Sequence, residues 1–277
     1  MHIFFWRPLA AGLVLLALAP PAAAFELKGQ PVQGGLLVGR AAPGTTVAFQ
    51  DRPLRLSPDG LFVIGFDRDA PLESVLTLRA ADGRETRHPV RIAARSYDVQ
   101  RIDGLPQRKV TPAPEDLERI RREAGLARTA RQRDDPRTDF AQAFIWPVHG
   151  RISGVYGSQR ILNGEPRRPH YGVDIAAPTG TPVKAPADGV VSLVHPDMFF
   201  SGRTLILDHG HGVSSTFLHL SAILVREGQT VRQGEVIARV GASGRVTGAH
   251  LDWRMNWFEQ RIDPTLLVPP MPAGRRP

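Results

Sequence analysis

The sequence has no cysteine, which excludes disulfides and a lipid-modified N-terminal cysteine. The fold must therefore rest on packing, supplemented at most by bound metal. There is also no apolar run long enough for a comfortable membrane span, which takes about 20 residues. The longest, Leu9 to Ala19, follows a single basic residue, Arg7, and runs into Pro20-Pro21 and Ala22-Ala23-Ala24. That order reads as a secretory signal peptide over residues 1–24 with an Ala-x-Ala cleavage site, so no stable span is expected after cleavage. Phe4, Phe5 and Trp6 lengthen the stretch and keep an uncleaved anchor as the alternative. A third absence is any stripe of Arg and Lys interleaved with aromatics, and with it goes the case for nucleic acid as a partner.

What is present is basic charge and β signal. Lys and Arg total 35 against 27 Asp and Glu, a net charge of +8. A basic exported protein suits polyanionic surroundings such as cell wall or outer-membrane sugar phosphates, and the periplasm is the expected compartment. A length of 277 residues with 42% hydrophobic side chains is enough for two domains and at least one sizeable core.

Residues 25–95 alternate short apolar runs with turn signals at Ala42-Pro43-Gly44, Ser57-Pro58-Asp59-Gly60 and Ala81-Asp82-Gly83, which predicts a small β-sandwich. No chemically paired residues gather there, so a spacer or docking role is expected. Residues 96–141 read as a linker with one helix. Pro112, Pro114, Glu115 and Asp116 mark the helix start, and Leu117, Ile120, Ala124 and Ala127 recur near the helical period. Seven Arg and six acidic residues between Pro112 and Arg137 nearly cancel, which predicts a solvated charged face. From residue 142 to 277 tight turns separate short β-branched runs without a long helix, so the second domain is expected to be all β.

Six of the nine histidines lie between His170 and His250, in a region that needs few of them for packing. His170 and Asp174 are four apart, and His250 and Asp252 two apart. Either spacing keeps a pair on one face of a strand. Imidazole and carboxylate are ligands that zinc accepts together, and a catalytic zinc needs three of them and an open position.

The text around these residues is more specific than the spacings. His170-Tyr171-Gly172-Val173-Asp174-Ile175-Ala176-Ala177-Pro178, then Ala187-Asp188-Gly189, Phe217-Leu218-His219-Leu220-Ser221, Gly228-Gln229-Thr230-Val231-Arg232-Gln233-Gly234 and Gly248-Ala249-His250-Leu251-Asp252 resemble, in order, the lysostaphin/LytM-type zinc endopeptidases. The resemblance covers roughly Trp146 to Asp263. It implies an antiparallel β domain with a groove, one zinc per chain, and hydrolysis of peptide cross-links in peptidoglycan, which would then be the partner. Carried over by position, it implies metal ligands at His170, Asp174 and Asp252, and catalytic histidines at His219 and His250, with His250 favoured as base. The family's last motif is His-x-His, and Asp252 stands where that second histidine is. Two ligand carboxylates give a ligand charge of −2, so the metal is expected to acidify its water less than in relatives.

Two other functions compete. A catalytically degenerate relative would dock on or activate another wall hydrolase. A biotinyl or lipoyl carrier would need an exposed hairpin lysine, and Lys184, the only lysine beyond Phe144, lies in Pro182-Val183-Lys184-Ala185-Pro186 and not at such a tip. His195, His209 and His211 flank Gly- and Asp-rich turns, where surface or turn hydrogen bonding is expected, Asp208 and Asp263 are expected as turn caps, and Asn163, Arg167 and Arg168 in a loop beside the site. Trp253 and Trp257 are expected to divide between groove and core. Because every motif block lies beyond Phe144, a chain starting there is expected to fold alone.

Overall fold

The computed structural model describes residues 25–272, so the expected signal peptide lies outside the described residues. Alternation in the first segment becomes strands with one buried face. In Glu73–Arg79, Ser74, Leu76 and Leu78 point inward while Val75 and Thr77 are only half-buried. Strands Glu26–Gly29, Leu36–Arg40 and Leu61–Gly65 form a three-stranded sheet, and Arg52–Pro53, Thr46–Phe49, Glu73–Arg79 and Glu85–Arg91 a four-stranded one. Phe62 and Ile64 from the first and Val47, Phe49, Leu76 and Leu78 from the second share one apolar cluster, which is the expected sandwich.

The C-terminal part is built on a long antiparallel sheet. Its order runs Thr230–Val231, Gly189–Met198, Gly202–Asp208, Val213–Leu220, His250–Trp257, Val173–Ala176 and Arg151–Gly154, with Gln260–Ile262 added beside His250–Trp257. All eight residues of Val213–Leu220 are buried, because this central strand is covered on both faces. A smaller sheet, Pro182–Lys184, Val236–Arg239 and Ala222–Ile223, closes the core from one side.

The segment expected as a linker is tied into this body. Helix Leu117–Arg131 packs through Ala127 and Ala130 against Leu193, Met198 and Ile206. Its packed face follows the apolar stripe read from the sequence only in part: Ala127 packs, but Leu117 is exposed and Glu123 is buried. The Glu123 carboxylate takes the amide of Phe199 at 2.7 Å and pairs with Arg119 at 2.6 Å, which rotates the helix toward small side chains. Just upstream, Val99–Ile102 joins Gln159–Leu162 as a parallel neighbour, so chain from before the helix completes a sheet of the C-terminal part.

The sandwich and the C-terminal sheet also share a core. Phe49 meets Trp257 with ring centroids 6.1 Å apart, and the Arg52 guanidinium lies 3.5 Å over the Phe258 ring. A Cβ on Gly65 would lie 2.8 Å from both Trp257 and Ile262. Arg95 pairs with the buried Asp263 at 2.8 Å, and the Arg261 amide donates to Asp67 at 3.0 Å. A chain starting at Phe144 would expose this apolar face.

Phe49→Ala is expected to destabilise the whole protein by about 3–5 kcal/mol, because it opens a cavity where the two parts meet. Urea unfolding followed by tryptophan fluorescence should show one transition at a lower midpoint. Two separated transitions would show that the parts unfold independently.

Candidate metal centre

Strands Val173–Ala176 and His250–Trp257 run antiparallel with Asp174 opposite Asp252 and Ala176 opposite His250. Opposed residues share a face, so pairing brings the two carboxylates together. Alternation along the second strand places His250, Asp252 and Arg254 on this face and sends Leu251, Trp253 and Met255 fully into the core. Trp253 and Trp257 are therefore both core residues, Trp253 stacking edgewise on Trp146 at 5.9 Å.

His170 reaches the same place by another route. It precedes the strand, and not the pleat but hydrogen bonds of the preceding loop position it: its amide donates to Ser158 O at 2.8 Å and its carbonyl accepts from Gly157 at 2.7 Å. His219 ends Val213–Leu220 in the left-handed region at φ 63°, and its amide donates to Ser201 O instead of to a neighbouring strand. That twist turns the ring toward His250, with centroids 4.9 Å apart.

Each of the three rings has Nδ1 against a backbone carbonyl: His170 on Val155 at 3.2 Å, His219 on Ser243 at 2.8 Å, His250 on Gly248 at 2.9 Å. A carbonyl only accepts, so each Nδ1 carries a hydrogen, and in the neutral form of such a ring Nε2 holds the lone pair. His170 Nε2 lies 3.0 Å from Asp174 Oδ1 and 3.5 Å from Asp252 Oδ2. His250 Nε2 is 3.8 Å from Asp174 Oδ1.

His170, Asp174 and Asp252 each offer one ligand atom within 4.8 Å of the other two. His170 Nε2 and Asp174 Oδ1 are buried and, although 3.0 Å apart, neither has a hydrogen-bond partner of good geometry. Buried polar atoms left without a partner call for an ion or water between them. Ligand atoms around one tetrahedral zinc stand about 3.3 Å apart, and one imidazole with two carboxylates is a donor set that zinc accepts. The residues present fit a divalent metal. Of the five gathered side chains only His250 shows appreciable exposure, at 18%.

The two carboxylates are held apart by cations that sequence reading missed. Arg254 grips Asp252 with two hydrogen bonds, Nε to Oδ1 at 2.9 Å and Nη2 to Oδ2 at 2.6 Å, and Arg160 Nη2 meets Asp174 Oδ2 at 2.6 Å. Burial opposes ionisation of Asp252, yet Arg254 and His170 hold its carboxyl well below the usual range. Burial likewise opposes ionisation of Asp174, and His170 with Arg160 outweighs both burial and the like charge of Asp252. His170 is pushed the other way: burial works against its charged form, but the facing Asp174 and Asp252 raise its pKa. Burial pulls His219 down to about 4. Two glycines leave room for the carboxylates, since a Cβ on Gly154 would lie 2.3 Å from Asp174 Oδ2, and one on Gly172 2.6 Å from Asp252 Oδ1.

The remaining candidates fall elsewhere. Asn163 and Arg167 are spent on the preceding segment, Asn163 on Leu105 and Arg167 on the Val110 carbonyl and Thr111. Asp208 caps a turn through Gly210 and Asp263 caps a short helix through Thr265, as expected. His209 and His211 are buried, not at the surface. His209 bridges the Asp188 carbonyl and Ser215 Oγ, and burial lowers it to about 4.

An antiparallel β protein with one imidazole and two carboxylates converging beside two further histidines has the layout of a metal-binding hydrolase fold. Residues 168–264 match the profile of Peptidase family M23. A crystal structure of a peptidase M23 from Pseudomonas aeruginosa is 34% identical and superposes with a TM-score of 0.67, covering 86% of this chain and 95% of that one. The DD-carboxypeptidase/endopeptidase Mpg of Neisseria meningitidis is 39% identical over 125 residues, 45% of this chain and 29% of that protein. Peptidoglycan DD-endopeptidase ShyA of Vibrio cholerae is 41% identical over 108 residues, 38% of this chain and 24% of that protein. The chain belongs to peptidase family M23. It spans less than a third of the length of these curated relatives.

Burial of neutral His209 gives a pH dependence with a definite sign. Its folded pKa of about 4 lies below the unfolded value near 6.5. The unfolded chain therefore binds more protons between those values, and the stabilisation, complete above about pH 6.5, is lost as pH falls toward 4. Each such histidine contributes a slope of up to about 1.4 kcal/mol per pH unit. Urea midpoints should fall less steeply over that window in His209→Gln than in the parent. Equal slopes would mean that His209 is not held neutral.

Proposed function

We propose that this chain is a zinc-dependent endopeptidase that hydrolyses peptide cross-links of bacterial peptidoglycan. The observation that carries the reading is the convergence of His170, Asp174 and Asp252 with His219 and His250 beside them. The first three would hold the metal, which when bound supplies Lewis acidity to water and to the scissile carbonyl. Membership of family M23 and the names of its relatives support the substrate class.

The protein's own part is proton handling and exclusion of water. His219 and His250 exchange protons only at Nε2, since Nδ1 of each is held by a carbonyl. His250, the more open of the two, is proposed as the base that takes a proton from water and returns it to the leaving amine. His219 is proposed to stabilise charge on the carbonyl oxygen as the imidazolium, with an Nε2 proton taken up from solvent before the reaction and kept through it. The degenerate alternative draws no support, because both histidines needed for turnover stand beside the metal candidates.

Export through residues 1–24, a periplasmic location and a docking role for residues 25–95 complete the proposal. The net charge of +8 favours retention at an anionic wall. Cross-links between D-amino acids are the proposed target, with the domain boundaries at residues 95 and 141 following the sequence reading.

His170→Ala or Asp174→Ala should abolish zinc binding while the circular dichroism spectrum stays β, since each removes one of three ligands. His219→Ala and His250→Ala should keep zinc and lose about 10²- to 10⁴-fold in turnover on purified cross-linked wall, with products identified by mass. Zinc retained at full stoichiometry in both ligand variants would refute the site.

A further inference from the structure

Asp252 stands where the family resemblance implies a histidine, and an aspartate differs from a neutral imidazole by a full negative charge. It is fully buried and lies directly opposite a second carboxylate, Asp174. Like charges so placed repel, so the pair calls for a cation beside it. Arg254, two residues on along the same face, supplies that cation and holds both Asp252 oxygens, at 2.9 and 2.6 Å.

We propose that Asp252 and Arg254 are one unit that replaces the neutral histidine ligand: the carboxylate supplies the donor atom, and the guanidinium cancels its charge and fixes its rotamer. Arg254 is thus a positioning residue for the metal. A bidentate grip leaves the carboxylate one orientation, with Oδ2 toward His170 Nε2 at 3.5 Å. Space for the pair is cut into the adjacent strand entry, where a Cβ on Gly172 would lie 2.6 Å from both Arg254 Cγ and Asp252 Oδ1. Arg160 does not share this role, because it pairs with Asp174, a ligand candidate that the resemblance already carries. Counting Arg254 with Asp252 returns the ligand charge from −2 to −1, so the weaker acidification of water expected from the ligands alone does not follow.

The inference rests on the metal-site reading, and the test separates the two. Zinc affinity of the full mature chain is measured by chelator competition in the parent, Arg254→Met, Asp252→His and the Asp252→His/Arg254→Met double variant, with thermal unfolding recorded for each. Arg254→Met should weaken zinc binding by about 10- to 100-fold in the parent, the size typical of lost outer-shell partners. With histidine at 252 the same change should have no measurable effect, since no carboxylate is left to hold. Arg254→Lys, which keeps the charge but not the two-pronged grip, should fall between parent and Arg254→Met and provides the comparison if the methionine variant does not fold. Arg160→Met should weaken zinc in both backgrounds. An equal loss on removing Arg254 in both backgrounds, or no loss in either, overturns the pairing while leaving the site intact. A parent that binds no zinc, or an Asp174→Ala variant that still does, overturns the site reading and the pairing with it.

Discussion

The register that sets Asp174 against Asp252 on neighbouring antiparallel strands is the constraint on which the rest of the site depends. It places two buried carboxylates face to face, an arrangement that a sheet does not tolerate unaided. The surrounding features answer that repulsion. Arg160 approaches from a separate sheet and Arg254 along the strand of Asp252, His170 takes a raised pKa between the carboxylates, and Gly154 and Gly172 give up the volume a side chain would fill. The unpartnered His170 Nε2 and Asp174 Oδ1 lie where the proposed divalent cation would sit.

The same register is reinforced from outside. The His250–Trp257 strand carries its apolar face into the core through Leu251, Trp253 and Met255, and its far end is clamped by Phe49 and Arg52 of the sandwich. A one-residue slip would exchange the core face for the site face. The first β region and the site are thus linked through one strand, whose two ends serve different tasks. Glu123 and the strand Val99–Ile102 extend that integration to the segment between them.

Much of the site was legible because strand periodicity is short. His250 and Asp252 two apart had to share a face, and Arg254 follows by the same rule once the strand is known. His170 and Asp174 are brought together too, but by a loop whose hydrogen bonds no spacing encodes. Arg160 left no local signal, since it arrives from a different sheet. The buried face of the helix was legible only in part because Glu123 is a packed residue, which apolar periodicity cannot reveal. Phe49 and Trp257 are far apart in sequence, so their shared core was invisible to a reading that takes segments one at a time, and the two buried histidines at 209 and 211 were assigned by their turn neighbours instead of by the strands behind them.

The carbonyl partners of the three histidine rings have a consequence for traffic through the site. A ring can hand a proton from one side to the other only if its far nitrogen is free to release one to solvent. In His170, His219 and His250 that nitrogen is tied to the protein's own backbone. Behind each ring the next group is thus a backbone carbonyl and not a titratable side chain. In the proposed hydrolysis, a proton taken from water at Nε2 would therefore leave through the same opening, carried by the product, and a product slow to depart would hold up the next proton as well as the next substrate.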